Sequence, residues 1–307
     1  MLVEAASQLE CLGSVLESVP DADGDGVADL LVGGRCENVV RLLSGDTPAQ
    51  VPGADDITTF VGPDEQGRFG HAFATGDLNS DGQGDVAIGD PDAHGTVTGR
   101  VSVFSGPHST TAHYEDASAS IQAREEDSAN GFVLLGSGVA TGDLNDDGYD
   151  DLAAGAPLWS ESSEWGAAEG LLVVYFGPLN GTYTIGDADF RMKGEEDHST
   201  LGGEMWSGQD LDGDGADDLL VGNGYNEING SGFTRYSRGS AAYVLRAPLS
   251  PGTWTGMDAD FLLADTPTTD FFGQHATIAG DANGDGVGEV IVGDWYGSIH
   301  LFAILGD

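Results

Sequence analysis

The stretch DADGDGVAD, Asp21 to Asp29, decides the reading of this chain, because four later stretches repeat its pattern of oxygen-bearing side chains. They are DLNSDGQGD (Asp77 to Asp85), DLNDDGYDD (Asp143 to Asp151), DLDGDGADD (Asp210 to Asp218) and DANGDGVGE (Asp281 to Glu289). The first, third, fifth and ninth positions always offer a side-chain oxygen. The sixth is always glycine: Gly26, Gly82, Gly148, Gly215 and Gly286. The seventh varies freely, as expected of a residue that contributes only its backbone carbonyl.

Hard cations account for this spacing. Calcium takes six to eight oxygens, and short Asp and Asn side chains at alternate positions let one tight loop wrap the ion. Glycine permits the sharp turn because it reaches positive φ without steric cost. An EF-hand loop would place a glutamate at the twelfth position, before a helix. Here that position holds Val32, Ile88, Ala154, Val221 or Val292, inside an apolar run.

Those runs, DLLVGG (29–34), DVAIGD (85–90), DLAAGA (151–156), DLLVGN (218–223) and EVIVGD (289–294), are bounded by glycine and read as buried strands. The loops recur at intervals of 56, 66, 67 and 71 residues, so each belongs to a larger supersecondary unit. A Leu-Gly or Phe-Gly pair opens a strand ahead of every loop, at Leu12, Phe69, Leu135, Leu201 and Phe272. A third strand is expected at 38–45, 99–106, 170–177, 240–247 and 298–305, and a weaker fourth at 56–62, 119–123, 188–194 and 259–265. The last unit lacks a fourth run, while LVEAAS (2–7) stands spare before the first. If that segment is the outer strand of the last blade, the ring closes and no sheet edge is left at the seam. The expectation is an all-β chain: one five-bladed β-propeller domain of four-stranded antiparallel blades over residues 1–307, its units near 12–62, 69–123, 135–194, 201–265 and 272–307 plus 1–7.

Composition agrees. Glycine makes up 49 of 307 residues, as in turn-rich β-proteins. The net charge of −42 argues against nucleic acid or an anionic membrane surface as partner. No apolar run approaches the ~20 residues of a membrane helix. No leader peptide is legible, so Met1 is read as the start of a mature or trimmed chain, expected to be a monomer. The two cysteines, Cys11 and Cys36, are brought close by the hairpin around the first loop, either as a disulfide or as two buried thiols. A disulfide and millimolar calcium would both place the chain outside the cytosol.

The combination of Phe-Gly, D-x-[DN]-x-D-G-x-x-D and an apolar run ending in glycine resembles the FG-GAP repeats of the integrin α-subunit propeller. FGHAFATGDLNSDGQGDVAIGDP (69–91) and GSGVATGDLNDDGYDDLAAGAP (136–157) carry it best. The resemblance implies calcium in the loops joining the first and second strands, and ligands on the opposite face. This chain departs from it in having five repeats where the family has seven, in Leu for Phe in units one, three and four, and in Glu289 at the last ninth position.

Carried over position by position, the resemblance implies about five Ca2+ ions and five ligand sets. They are Asp21, Asp23, Asp25, Val27 and Asp29; Asp77, Asn79, Asp81, Gln83 and Asp85; Asp143, Asn145, Asp147, Tyr149 and Asp151; Asp210, Asp212, Asp214, Ala216 and Asp218; and Asp281, Asn283, Asp285, Val287 and Glu289. The first and fourth sets hold four carboxylates and the others three with an Asn. Affinity follows ligand charge, so these two are expected to bind tightest, unless repulsion in the metal-free loop dominates.

The function implied is a non-catalytic, extracellular binding or adhesion module whose protein or glycan ligand meets long loops carrying Trp159, Trp165, Tyr225, Arg235, Tyr236 and Arg238. Aromatics with arginine are typical of binding hot spots, although such aromatics also tuck under their own loops. The alternative is a secreted lyase or hydrolase acting on polysaccharide at the upper mouth of the channel, among Glu125, Glu126, Asp127, Glu195, Glu196, Asp197 and His198. No H-E-x-x-H, G-x-S-x-G or phosphate-binding loop supports an enzyme.

Overall fold

A computed structural model describes residues 12–19, 26–34, 38–45, 57–63, 68–93, 97–108, 110–164, 167–195, 199–223, 241–264, 275–281, 284, 288–293 and 299–304. The chain is all-β and forms the five blades of a propeller. The first blade is an antiparallel sheet of β1 (Leu12–Val19), β2 (Asp29–Gly34), β3 (Val39–Leu43) and β4 (Ile57–Val61). The second comprises β5 (Phe73–Gly76), β6 (Asp85–Asp90), β7 (Val97–Phe104) and, after the short β8 (Ala112–His113), β9 (Ala119–Arg124). The third comprises β10 (Val139–Gly142), β11 (Asp151–Ala156), β12 (Leu171–Tyr175) and, after β13 (Gly181–Thr184), β14 (Phe190–Lys193). The fourth comprises β15 (Leu201–Gln209), β16 (Asp218–Asn223), β17 (Ala241–Leu245) and, after β18 (Gly252–Thr255), β19 (Phe261–Ala264). In the fifth, β20 (His275–Gly280), β21 (Glu289–Gly293) and β22 (Ile299–Ala303) are described.

The second strand of each blade is where the apolar run predicts it. In β6 and β11 every residue is buried. These strands are apolar on both faces because each sheet is sandwiched between its neighbours. Four clusters fill the gaps between successive blades among the described residues. Between the second and third blades, for example, Val101 and Ile121 meet Leu152 and Val173. Each such side chain contributes about 1.5–3 kcal/mol by leaving water.

The Phe-Gly and Leu-Gly pairs build these interfaces. Phe69, Leu135 and Leu201 are wholly buried, each in the cluster between its own blade and the preceding one. A leucine serves where a phenylalanine serves because the demand is for apolar volume. The following glycines, Gly70, Gly136 and Gly202, take φ of +89°, +91° and +92°. Their carbonyls press against a glycine of the preceding blade's second strand. A Cβ on Gly33, Gly89 or Gly155 would lie 2.8, 2.1 or 1.8 Å from the oxygen of Gly70, Gly136 or Gly202. Backbone meets backbone there, so no side chain fits.

The blades differ from four plain antiparallel strands. In the first three a fifth strand, contributed by the next repeat, lies parallel on the outside: β8 on β4, β13 on β9 and β18 on β14. It comes from the long connection between the third and fourth strands. In β13 and β18 the Thr, Tyr and Trp residues are strand formers, and the aromatics pack inward. The Tyr183 ring centroid lies 5.7 Å from that of Tyr175, and Trp254 lies 5.1 Å from Phe190. A single 3-10 turn ends each added strand, where Asp116, Asp187 and Asp258 accept the N–H of His113, Thr184 and Thr255 at 2.8 Å. Each repeat thus straps the blade before it. The expected seam at residues 2–7 and the Cys11–Cys36 pair lie outside the described residues.

Candidate metal centres

Loops two, three and four are described throughout, and they share one hydrogen-bonded frame. In loop two, Asp77 Oδ1 and Asn79 Oδ1 accept the N–H of Asp81 at 2.9 and 2.8 Å. Asp77 Oδ2 accepts the N–H of Gly82 at 2.9 Å, and Asp81 Oδ1 that of Gln83 at 2.9 Å. Loop three repeats this with Asp143, Asn145, Asp147, Gly148 and Tyr149 at 2.8–3.0 Å. Loop four repeats it with Asp210, Asp212, Asp214, Gly215 and Ala216 at 2.8–3.1 Å. The carboxylates therefore cap the turn they belong to, and the turn holds them together. The described sixth-position glycines, Gly26, Gly82, Gly148 and Gly215, sit at φ +84° to +98°. The fourth position is also left-handed, with Ser80 at +62°, Asp146 at +60°, Gly213 at +87° and Gly284 at +82°. Small residues that tolerate this geometry were a legible signal there, which the sequence reading passed over.

The ninth position differs from the other three. Asp29, Asp85, Asp151, Asp218 and Glu289 are all buried, between 0% and 3% exposed. Each Asp anchors the loop to the sheet. Asp85, Asp151 and Asp218 accept an N–H from inside the loop, of Asn79, Leu144 and Leu211, at 3.1, 3.1 and 2.8 Å. Their other oxygen accepts the N–H of Gly106, Gly177 or Ala247 just beyond the third strand, at 3.0, 2.8 and 3.0 Å. Asp29 takes the N–H of Gly45 in the same way, at 2.9 Å. At the seventh position, Val27, Gln83 and Tyr149 are exposed and Ala216 is small, so the site draws nothing from their side chains. Of the first loop, Asp21, Asp23 and Asp25 lie outside the described residues, as do Asn283, Asp285 and Val287 of the fifth.

The donor set fits a hard divalent ion. In loop four, oxygens of Asp210, Asp212 and Asp218 lie within 4.8 Å of one another. Burial pushes the carboxyls of Asp85, Asp151 and Asp218 up to about 6, 7 and 6, with the fifth- and first-position or third-position carboxylates adding to the rise. A bound cation removes that penalty by favouring the charged form.

A pH dependence follows. A carboxyl raised on folding binds its proton more tightly in the folded state. Its stabilisation is complete below the unfolded value and is lost as pH rises through the folded value. Metal-free protein is therefore expected to melt higher at pH 5 than at pH 8. Discharge of the general acidic surface acts in the same direction, and Asp151→Asn separates the two by flattening the profile. Cation affinity runs the other way and strengthens between pH 5 and 8. Thermal denaturation across pH, with and without chelator, measures both.

Neighbouring loops touch. Asp150, at the eighth position of loop three, accepts the N–H of Asp77 in loop two at 2.6 Å. Asp217 does the same for Asp143. A Cβ on Gly76 or Gly142 would lie 2.6 or 2.9 Å from the Asp150 or Asp217 oxygen, so glycine before the loop admits the neighbour's carboxylate. Sequence reasoning stopped at the metal-ligand positions and missed both.

On the opposite face, one of the aromatic residues singled out in the sequence lies among the described residues. Trp159 packs partly buried against the core, and its indole N–H donates to the Asp127 carbonyl at 2.6 Å. The exposed aromatic nearby is Phe132, at 53%. Trp165, Tyr225, Arg235, Tyr236 and Arg238 lie outside the described residues. Of the acids named for catalysis, Asp127 caps the Arg124 N–H at 2.7 Å and Glu195 accepts the Met257 N–H at 2.8 Å. Glu196, Asp197 and His198 lie outside the described residues.

A propeller with acidic loops between the first and second strands of its blades is the class defined by this geometry. The chain carries FG-GAP repeats: residues 69–104 and 135–171 match the family model of that name. It is 27% identical to integrin alpha-5 of Xenopus laevis over 73% of its own length and 20% of that protein's. To integrin alpha-V of Gallus gallus it is 27% identical over 67% of its length and 19% of that protein's. To phosphatidylinositol-glycan-specific phospholipase D of Bos taurus it is 32% identical over 50% of its length and 18% of that protein's. The chain thus spans about a fifth of the length of these curated relatives. No helix among the described residues is long and apolar enough to cross a membrane.

Proposed function

We propose that this chain is a calcium-stabilised, non-catalytic binding module that works outside the cytosol. The observation that carries the calcium reading is the frame shared by loops two, three and four, in which the turn preassembles its own carboxylates over a buried ninth-position Asp. The frames of three loops are superimposable in their hydrogen bonding, and the remaining two loops repeat the residue pattern. Asp and Asn oxygens in a flexible, many-oxygen cage suit calcium better than the smaller magnesium, which demands near-ideal octahedral geometry. An adhesion-type role is supported by the likeness to integrin alpha chains.

The ligand, a protein or glycan, would meet the face opposite the calcium loops, where Phe132 is exposed and where the segments bearing Trp165, Tyr225, Arg235, Tyr236 and Arg238 connect second to third strands. A protein and glycan array, probed with and without calcium, tests this. Binding that needs calcium and is lost in Arg235→Ala/Arg238→Ala supports the reading. Turnover of a polysaccharide on the same array would favour an enzyme instead.

A further inference from the structure

Loop four carries Asp212 at its third position, where loops two and three carry Asn79 and Asn145. In the second and fourth blades the residue just after the third strand reaches that position. In the second blade it is Ser105, whose hydroxyl oxygen accepts the Asn79 Nδ2–H at 2.9 Å. In the third blade it is Phe176. In the fourth it is Arg246, whose Nη1 lies 3.1 Å from Asp212 Oδ2. The guanidinium is held on other sides too. Its Nε is 3.5 Å from Asp260 Oδ1, and its carbon lies 5.7 Å from the centre of the Phe261 ring. The Arg246 backbone N–H donates to Asp260 Oδ2 at 2.8 Å, which fixes the stem. Arginine keeps its charge at every working pH.

We infer that Arg246 is a resident counter-charge of loop four, cancelling the carboxylate by which Asp212 exceeds Asn79 and Asn145. The inference rests on the calcium reading above and deepens it. Counting the loop's own ligands, four carboxylates with one guanidinium leave the same formal charge, −3, as three carboxylates with an asparagine; Asp260, which also touches the guanidinium, has its counterpart in the third blade in Asp189, which accepts the Phe176 N–H at 2.9 Å. Loop four is then no stronger a calcium site than loops two and three, contrary to what counting its carboxylates suggests. The guanidinium also offsets repulsion in the metal-free loop, where three carboxylate oxygens converge within 4.8 Å. Asp212 remains a ligand through Oδ1, which the Asp214 N–H orients at 3.1 Å. Even at the dielectric constant of water, a unit charge about 6 Å from a divalent ion changes its affinity about tenfold.

Calcium titration of the full chain by isothermal calorimetry tests this, with Asp210→Asn identifying the transition that belongs to loop four. Arg246→Met is expected to tighten that transition about tenfold or more, and Arg246→Lys to leave it near the parent. Arg246→Met/Asp212→Asn recreates the charge of loops two and three and returns the affinity to the parent's. Asp212→Asn alone keeps the arginine and weakens loop four about tenfold, which gives a second reading should Arg246→Met not fold. An Arg246→Met protein that is folded yet binds calcium at loop four no more tightly than the parent overturns the inference, as does an unchanged affinity in Asp212→Asn. A parent chain that takes up no calcium at any loop overturns the calcium reading itself, and this inference with it.

Discussion

Removing calcium is expected to lower the melting temperature of this protein by tens of degrees, or to unfold it at room temperature. Each described loop gathers three or four carboxyl groups around one turn, and without a cation those groups repel one another in a partly dry setting. Saturating one site at about 100 times its Kd is worth roughly 2.7 kcal/mol, so five such sites amount to about 13 kcal/mol. That is comparable to the whole stability of a domain, about 5–15 kcal/mol. The effect does not stay local, because the loops lean on one another through Asp150 and Asp217. Scanning calorimetry in excess calcium, excess magnesium and chelator measures it. A melting temperature indifferent to chelator would sink the calcium reading.

At pH 5, where the metal-free Asp151 carboxyl keeps its proton, Asp151→Ala is expected to destabilise the chain by about 2–6 kcal/mol even when no metal is present. Its carboxyl group is wholly buried and accepts two backbone N–H groups, from Leu144 at 3.1 Å and Gly177 at 2.8 Å. Alanine would leave both donors without that acceptor, and each stranded donor costs about 1–3 kcal/mol. The contrast with Asp147→Ala makes the test sharp. Asp147 is exposed and caps the N–H of Tyr149 at 3.0 Å, where water can replace it. In chelator, Asp151→Ala should melt far below the parent and Asp147→Ala close to it. In calcium both should melt lower, since each deletes a ligand. Equal stability of the two variants in chelator would show that the ninth position is only a metal ligand and not a brace between loop and sheet.

Much of the fold is legible in the residues because the demands are local. DVAIGD and DLAAGA coincide end to end with β6 and β11. Their boundaries are set by an acidic loop on one side and a backbone-crowded glycine on the other. Phe69 and Leu135 mark their interfaces because a buried apolar anchor must precede a glycine with positive φ. The frame of the acidic turn is legible for the same reason. Nine consecutive residues supply the hydrogen bonds that shape the turn itself, among the first, third, fifth, sixth and seventh positions.

The rest depends on partners far apart in the chain. The outer strand β13 pairs Tyr183 with Ile121, across a whole repeat, and GTYT by itself reads as a loop between two stronger strands. Trp159, which the sequence leaves open as a surface anchor or a residue tucked under its own loop, turns inward because the Asp127 carbonyl lies within reach of its indole. Arg246 lies 34 residues from Asp212, and only the pairing of β16 with β17 sets one beside the other.

The sequence alone determined the five acidic turns, the strands that follow them and the number of blades, since each is written in a short stretch whose chemistry is complete in itself. The tertiary structure alone decided which neighbours strap, brace and neutralise those turns. Contacts between blades are made by side chains whose partners are chosen by how the sheets stack around the ring, and no local pattern of residues records that choice.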